Sequence, residues 1–183
     1  MKKFKKLCAA ALFGISLISI NGCDPFDDLY VKLAMDVEFS IEDLEDPNIP
    51  AIKDTLCLSD FEDYEDNVDE LEEIRYVSSA YFTVDATSGL RAQTLTLTLY
   101  QEDGSTVLFD YTITNFVANN YKDNPLELTL TQQEIDDINA YLTNPKDDKC
   151  LVATLEAFGV QSDSSSYQLS SKVDILTELK LKP

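Results

Sequence analysis

The side chains of this 183-residue chain that could do chemistry are carboxylates, tyrosines and cysteines, because it contains no histidine. Without an imidazole, the usual general base of serine and cysteine hydrolases is missing, and so is the commonest zinc ligand. No glycine-rich phosphate loop is present: beyond residue 22 the glycines are Gly89, Gly104 and Gly159. Carboxylates are abundant, and a pair of them can run glycoside hydrolysis. The best-placed pair on one strand face, Asp36 and Glu38, is already explained by a strand surface turned to water. We therefore expect a protein that is not an enzyme.

The densest run of acids lies between Ser59 and Glu73. Asp60, Glu62, Asp63 and Asp66 are the candidate metal ligands, since clustered carboxylate oxygens suit Ca²⁺. The run lacks the glycine and the alternating aspartates of an EF-hand loop. Phe61, Tyr64, Val68, Leu71 and Ile74 recur at helical steps, and Ser59 with Glu62 has capping-box spacing, so the segment also reads as a helix with its acids outside. Among the tyrosines, Tyr81, Tyr100, Tyr121 and Tyr167 are candidate binding aromatics. Tyr81 and Tyr100 stand out because their parity turns them away from the leucine face of their strands. Packing under a loop or at a sheet edge is the simpler explanation for each. Cys57 and Cys150 are either a disulfide, if the chain folds in an oxidising compartment, or two buried thiols.

Compartment is the subject of the first 23 residues. Lys2, Lys3, Lys5 and Lys6 precede an uncharged apolar run from Cys8 to Ile20. That run is shorter than the ~20 residues needed to span a bilayer, and the arrangement is that of a secretory signal. Asn21-Gly22 ends the run, Cys23 follows, and Asp24, Asp27 and Asp28 come next. The segment Ile20-Asn21-Gly22-Cys23 resembles the signal of bacterial lipoproteins, with Asn21 in place of the usual alanine or serine. The resemblance implies cleavage before Cys23, a diacylglyceryl group on its sulfur, and stable anchoring by two or more acyl chains. It also implies a cell-envelope location. An aspartate directly after the cysteine resembles an inner-membrane retention signal of some bacteria, and an acidic run there resembles a surface-export signal of others, so membrane and face stay open. The layout is then a signal peptide over 1–22, the lipidated cysteine and a short tether over 23–29, and a single domain over 30–183.

Four of the 14 basic residues lie in the leader and all 34 acidic residues follow it, leaving 10 against 34 and a net charge of −24. Such a charge repels nucleic acid and anionic lipid headgroups.

Alternation organises the domain. Val31, Leu33, Met35, Val37, Phe39 and Ile41 are separated by mostly polar residues, the period-two mark of a half-buried strand. Glu42 to Pro50, with two prolines, reads as a loop, and Ile52 to Leu58 as a short strand. Ile74, Tyr76, Ala80, Phe82 and Val84 define another strand. Leu95, Leu97 and Leu99 alternate with Thr94, Thr96 and Thr98. A three-residue loop from Glu102 to Gly104 would pair Leu99 with Val107, Leu97 with Phe109 and Leu95 with Tyr111. Leu126 to Leu130 reads as a short strand, and Thr131 with Glu134 has capping-box spacing before a helix that Asn144-Pro145 would end. Cys150 to Val160 and Tyr167 to Leu181 read as strands joined as a hairpin by polar residues.

These elements predict a mainly β protein: an antiparallel β-sandwich of seven or eight strands with two short helices in connections. There is no tryptophan, and the cysteine spacing is not that of immunoglobulin domains, so the Ig-like label describes architecture alone. A small barrel with a ligand cavity is the alternative. Two functions from different classes follow. One is a membrane-anchored, non-catalytic domain for contact with an envelope protein or matrix component. The other is a Ca²⁺-assisted carbohydrate-binding module on the cell envelope, using the acidic segment or end loops.

Overall fold

A computed structural model describes residues 29–142, 144 and 147–182; the expected signal peptide, Cys23, the tether up to Asp28 and Pro145 lie outside them. The strands are β1 (Leu29–Leu44), β2 (Asn48–Cys57), β3 (Leu71–Ala86), β4 (Arg91–Gln101), β5 (Val107–Val117), β6 (Leu126–Glu127), β7 (Cys150–Phe158) and β8 (Tyr167–Leu181). Two α-helices, α1 (Glu62–Glu65) and α2 (Gln132–Tyr141), lie in connections. The strands form two four-stranded antiparallel sheets, in the orders β1-β8-β3-β6 and β2-β7-β4-β5. The expected β-sandwich is what the structure shows, and its likeness to immunoglobulin domains stops at the two-layer architecture.

The connections follow a different rule. β1 pairs with β8, β2 with β7, β3 with β6 and β4 with β5. The chain is thus a long antiparallel ribbon, closed at the β4–β5 hairpin and wrapped round a common core. Pairing of β8 with β3 and of β7 with β4 completes each sheet. This is the double-sheet jelly roll. Its core is the sum of the inward rows: Leu33, Met35, Val37 and Phe39 from β1; Leu95, Leu97 and Leu99 from β4; Leu155 from β7; Val173, Ile175 and Leu179 from β8. Every second residue of β8 from Tyr167 to Leu181 is buried, as the parity requires.

Several local expectations are corrected. The acidic run is not a long helix. It folds as a 3-10 turn (Leu58–Asp60), the four-residue α1 and a further turn, and β3 already begins at Leu71. A longer helix would stack carboxylates three and four residues apart with no cation to offset them. Leu71, buried opposite Leu181, gains more as the first residue of a strand. Ser59 does not cap the helix; it donates to Asp148 at 2.7 Å, while Asp60 accepts from the Cys57 N–H at 2.7 Å.

Pro47 and Pro50 do not make the whole of Glu42–Pro50 a loop: Pro50 sits where the β2–β7 register breaks, between Ile49 and Ile52, so its missing N–H costs no ladder bond. The Cys150–Val160 and Tyr167–Leu181 strands are not a hairpin, because the segment between them crosses from one sheet to the other. The β4–β5 loop holds four residues, Glu102–Ser105, closed by Gln101 N–H to Thr106 C=O at 2.9 Å. Asp103 causes this: its carboxylate accepts from the N–H groups of Ser105 and Thr106 and from the Thr106 hydroxyl. The Thr106 bonds, with that of Ser105, hold its carboxyl well below the usual range. A register break after Leu99 absorbs the extra residue, giving Leu99–Phe109, Leu97–Tyr111 and Leu95–Ile113. Parity is preserved and every expected pair shifts by two. The capping box at α2 forms as expected, Thr131 N–H donating to Glu134 at 2.7 Å.

Cys57 and Cys150 are partners at the end of the β2–β7 ladder and form a disulfide across 93 residues of sequence. Around it, Leu58 N–H donates to Lys149 C=O at 3.0 Å and the Tyr141 hydroxyl to Cys150 C=O at 2.8 Å. Closing so long a loop restricts the unfolded chain. The Cys57→Ala/Cys150→Ala double variant is therefore expected to lose about 2–4 kcal/mol in denaturant unfolding. Unchanged stability would contradict the crosslink's role.

Candidate functional site

The candidate calcium ligands are engaged separately. Asp60 caps the turn before α1, Glu62 and Asp63 open that helix, and Asp66 closes it with its N–H on the Glu62 carbonyl. Among the described residues, no three histidine, cysteine, aspartate or glutamate side chains come together as a metal site.

The tyrosines divide. Tyr81, expected to face outward, is fully buried. Register breaks in β3, between Tyr76 and Ser78 and again between Thr83 and Asp85, reverse the face: Ser79, Tyr81 and Thr83 point inward, while Val84 is 49% exposed. The Tyr81 ring meets Phe116 and Tyr121 edge-on at 5.9 and 5.8 Å, and those two stack at 5.7 Å. Tyr167 is buried, its hydroxyl donating to the Asp46 carbonyl. Tyr100 alone of the four lies half-buried on an outer sheet face.

That outer face belongs to the second sheet. With Leu95, Leu97 and Leu99 in the core, Thr94, Thr96, Thr98 and Tyr100 stand outside on β4, a central strand. Pairing sets Thr114 and Phe158 on either side of Thr94, Thr112 and Glu156 beside Thr96, Asp110 and Thr154 beside Thr98, and Val152 beside Tyr100. The Thr96 and Thr112 hydroxyls are 3.2 Å apart. The seven residues of strand from Thr94 to Tyr100 span ~20 Å. Phe158 is 57% exposed at the far end.

Just beyond Phe158 the face sinks into a depression of about 230 Å³, lined by Arg91, Gln93, Asn115, Phe116, Gly159 and Gln161. Its shape comes from backbone irregularity. Asn115 has a φ of 52°, left-handed backbone that asparagine tolerates better than most residues. Gly159 has a φ of 67°, and a Cβ there would lie 2.7 Å from the Gln93 side chain. The Arg91 guanidinium donates to Gln161 Oε1 at 3.0 and 3.2 Å, leaving the amides of Gln93 and Asn115 at the rim.

The first sheet's outer face is chemically opposite. Lys32, Asp36, Glu38, Lys172, Asp174, Glu178 and Arg75 cover it in neighbouring register positions. Lys172 pairs with Asp174 at 2.9 Å and lies 5.0 Å over the Phe82 ring; Arg75 pairs with Glu73 at 2.8 Å. The hydrogen bond from Lys172 to Asp174 raises the ammonium pKa. A second cleft near the depression, about 450 Å³, has two of its polar side chains paired: Lys122 to Asp85 at 3.2 Å and Ser88 to Asp163 at 3.1 Å.

Sequence reasoning reached Tyr100 but missed Arg91, Gln93, Asn115, Phe158 and Gln161. One signal was available: Phe158 breaks the apolar parity of its strand and is followed by glycine.

No family model matches the chain, and no curated protein sequence matches it. Among solved structures it is similar to one of Desmodium yellow mottle tymovirus, with 10% identity and a TM-score of 0.32 over 87% of this chain and 92% of that one. It is also similar to the VP2 subviral particle of infectious bursal disease virus, with 12% identity and a TM-score of 0.31 over 87% of this chain and 38% of that one.

The core position of Tyr81 has a measurable consequence. Burial pushes its hydroxyl from an ordinary value near 10 up to about 12. Because the folded value lies above the unfolded one, its contribution to stability is complete below pH 10 and is lost as pH rises towards 12. In Tyr81→Phe the alkaline loss of stability over that window is expected to shrink. Parallel curves for both proteins in denaturant titrations from pH 9 to 12 would contradict the assignment.

Proposed function

We propose that this chain is a non-catalytic binding module of the bacterial cell envelope, anchored by lipid on Cys23, that meets its partner through the outer face of the second sheet. The observation that carries the reading is the contrast between the two outer faces. One is covered by charged side chains, with Lys172 paired to Asp174 and Arg75 to Glu73. The other is a hydroxyl-rich strip with Tyr100 and Phe158 at its ends and a depression beside it. Exposed aromatic rings beside convergent polar groups mark binding surfaces more often than random surface does.

The anchor reading rests on Lys2 to Cys23 and on the acidic switch that follows. The carboxylates of Asp60, Glu62, Asp63 and Asp66 lend no support to a calcium-dependent variant: Asp60 is engaged by the Cys57 N–H, and among the described residues the acids do not gather into a ligand set.

Mass spectrometry of the protein isolated from its own membranes tests the anchor. The expected N-terminal peptide starts at Cys23 and carries the mass of a diacylglyceryl group with a further acyl chain. An unmodified Cys23, or cleavage elsewhere, would refute it.

A further inference from the structure

We propose that the outer face of the second sheet docks a neutral, extended polysaccharide, with a terminal or branching sugar seated in the depression by Phe158. The inference rests on the reading of that face as the binding face and adds the class of partner. Charge is the first argument. Beyond the leader the protein carries −24, yet β4 has no charged residue between Arg91 and its end at Gln101. Glu156 and Asp110 are the acids flanking the strip. An anionic polymer would be repelled by the remainder of the surface, whereas a neutral one meets no penalty.

Hydrogen-bonding chemistry is the second. Each threonine hydroxyl both donates and accepts, and the amides of Gln93 and Asn115 offer both functions on rigid planes, whereas Gln161, its Oε1 held by Arg91, offers only its NH2 group. Sugar hydroxyls need that mixture. A protein partner would need a desolvated apolar centre, and threonine is under-represented among residues that carry protein–protein affinity. Here the centre of the face is threonine and the aromatic rings stand at its two ends.

Shape is the third. The strip is long and narrow, ~20 Å along β4, and it ends in a depression of about 230 Å³ rather than a deep pocket. The exposed ring of Phe158 lies between the two, placed to stack on the apolar face of a sugar. Asn115 holds left-handed backbone at the depression, and such backbone is concentrated at ligand sites.

Affinity electrophoresis of the full-length protein in detergent tests this, with laminarin, xylan, galactomannan and dextran as neutral probes and alginate as the anionic one. Retardation by at least one neutral polysaccharide is expected, and none by alginate. Phe158→Ala is expected to weaken it about tenfold, the size of one anchor truncation. Asn115→Gly, which keeps the backbone geometry and removes the amide, should weaken it as well. Phe82→Ala on the opposite face should leave it unchanged, and circular dichroism separates lost binding from lost fold. No retardation by any neutral probe, or retardation that ignores Phe158 and Asn115, would overturn the polysaccharide. If no probe binds but Phe158→Ala abolishes co-purification of a protein from native membranes, the polysaccharide fails and the binding face stands. If both assays ignore the substitution, both readings fall.

Discussion

Everything in this fold depends on pairing the two ends of the domain. β1 and β8 run antiparallel from Leu29–Leu181 to Leu44–Tyr167, and β8 carries β3 on its other edge. The C-terminal strand is therefore central to its sheet, and its inward row from Tyr167 to Leu181 is buried throughout. Two small polar residues, Ser171 and Thr177, are buried in that row, and Thr177 donates its hydroxyl to the Leu33 carbonyl at 3.3 Å. Contacts of such sequence separation are costly to close and slow folding. The Cys57–Cys150 bond fixes the neighbouring rung of the same ribbon, β2 with β7. Once that rung holds, the β7–β4–β5 set is in register, and the threonine face is a consequence of it.

The sandwich was legible because three strands alternate strictly. In β1, β4 and β8 the buried set follows directly from residue type. Legibility failed where backbone irregularity or charge intervened. Tyr81 points inward because β3 is bulged, and no property of residues 74–84 announces a bulge. The acidic run satisfied helical spacing but not helical electrostatics, so Leu71 went to a strand. The hairpin loop was misjudged by one residue because Asp103 binds forward to Ser105 and Thr106, an interaction that competes with the tighter turn. Of the candidate site, the Thr-Leu-Thr-Leu-Thr run of β4 was visible, but of its outer side only Tyr100 was read as a site residue. Phe158, Asn115 and Gln161 meet it through pairing of β4 with β5 and β7, and partner choice between strands is not written in any one of them.

The two outer faces then divide the work. Charge on the first sheet keeps an acidic domain hydrated, and its ion pairs are exposed enough to add little stability each. The second sheet spends the outer positions of its central strand β4 on β-branched hydroxyls, which favour the strand, and leaves charge to the other strands at Lys53, Asp110 and Glu156. In the proposed arrangement the anchor joins the domain through β1, in the first sheet, while binding belongs to the second. On that proposal, attachment and recognition use different sheets of one core.

Site-specific photo-crosslinking in native membranes tests that division most directly. A benzophenone side chain is placed at Thr96, in the middle of the threonine strip, or at Ala34, exposed on the first sheet. Adducts are expected from position 96 and none from position 34. Adducts from position 34 alone, or equally from both, would contradict it.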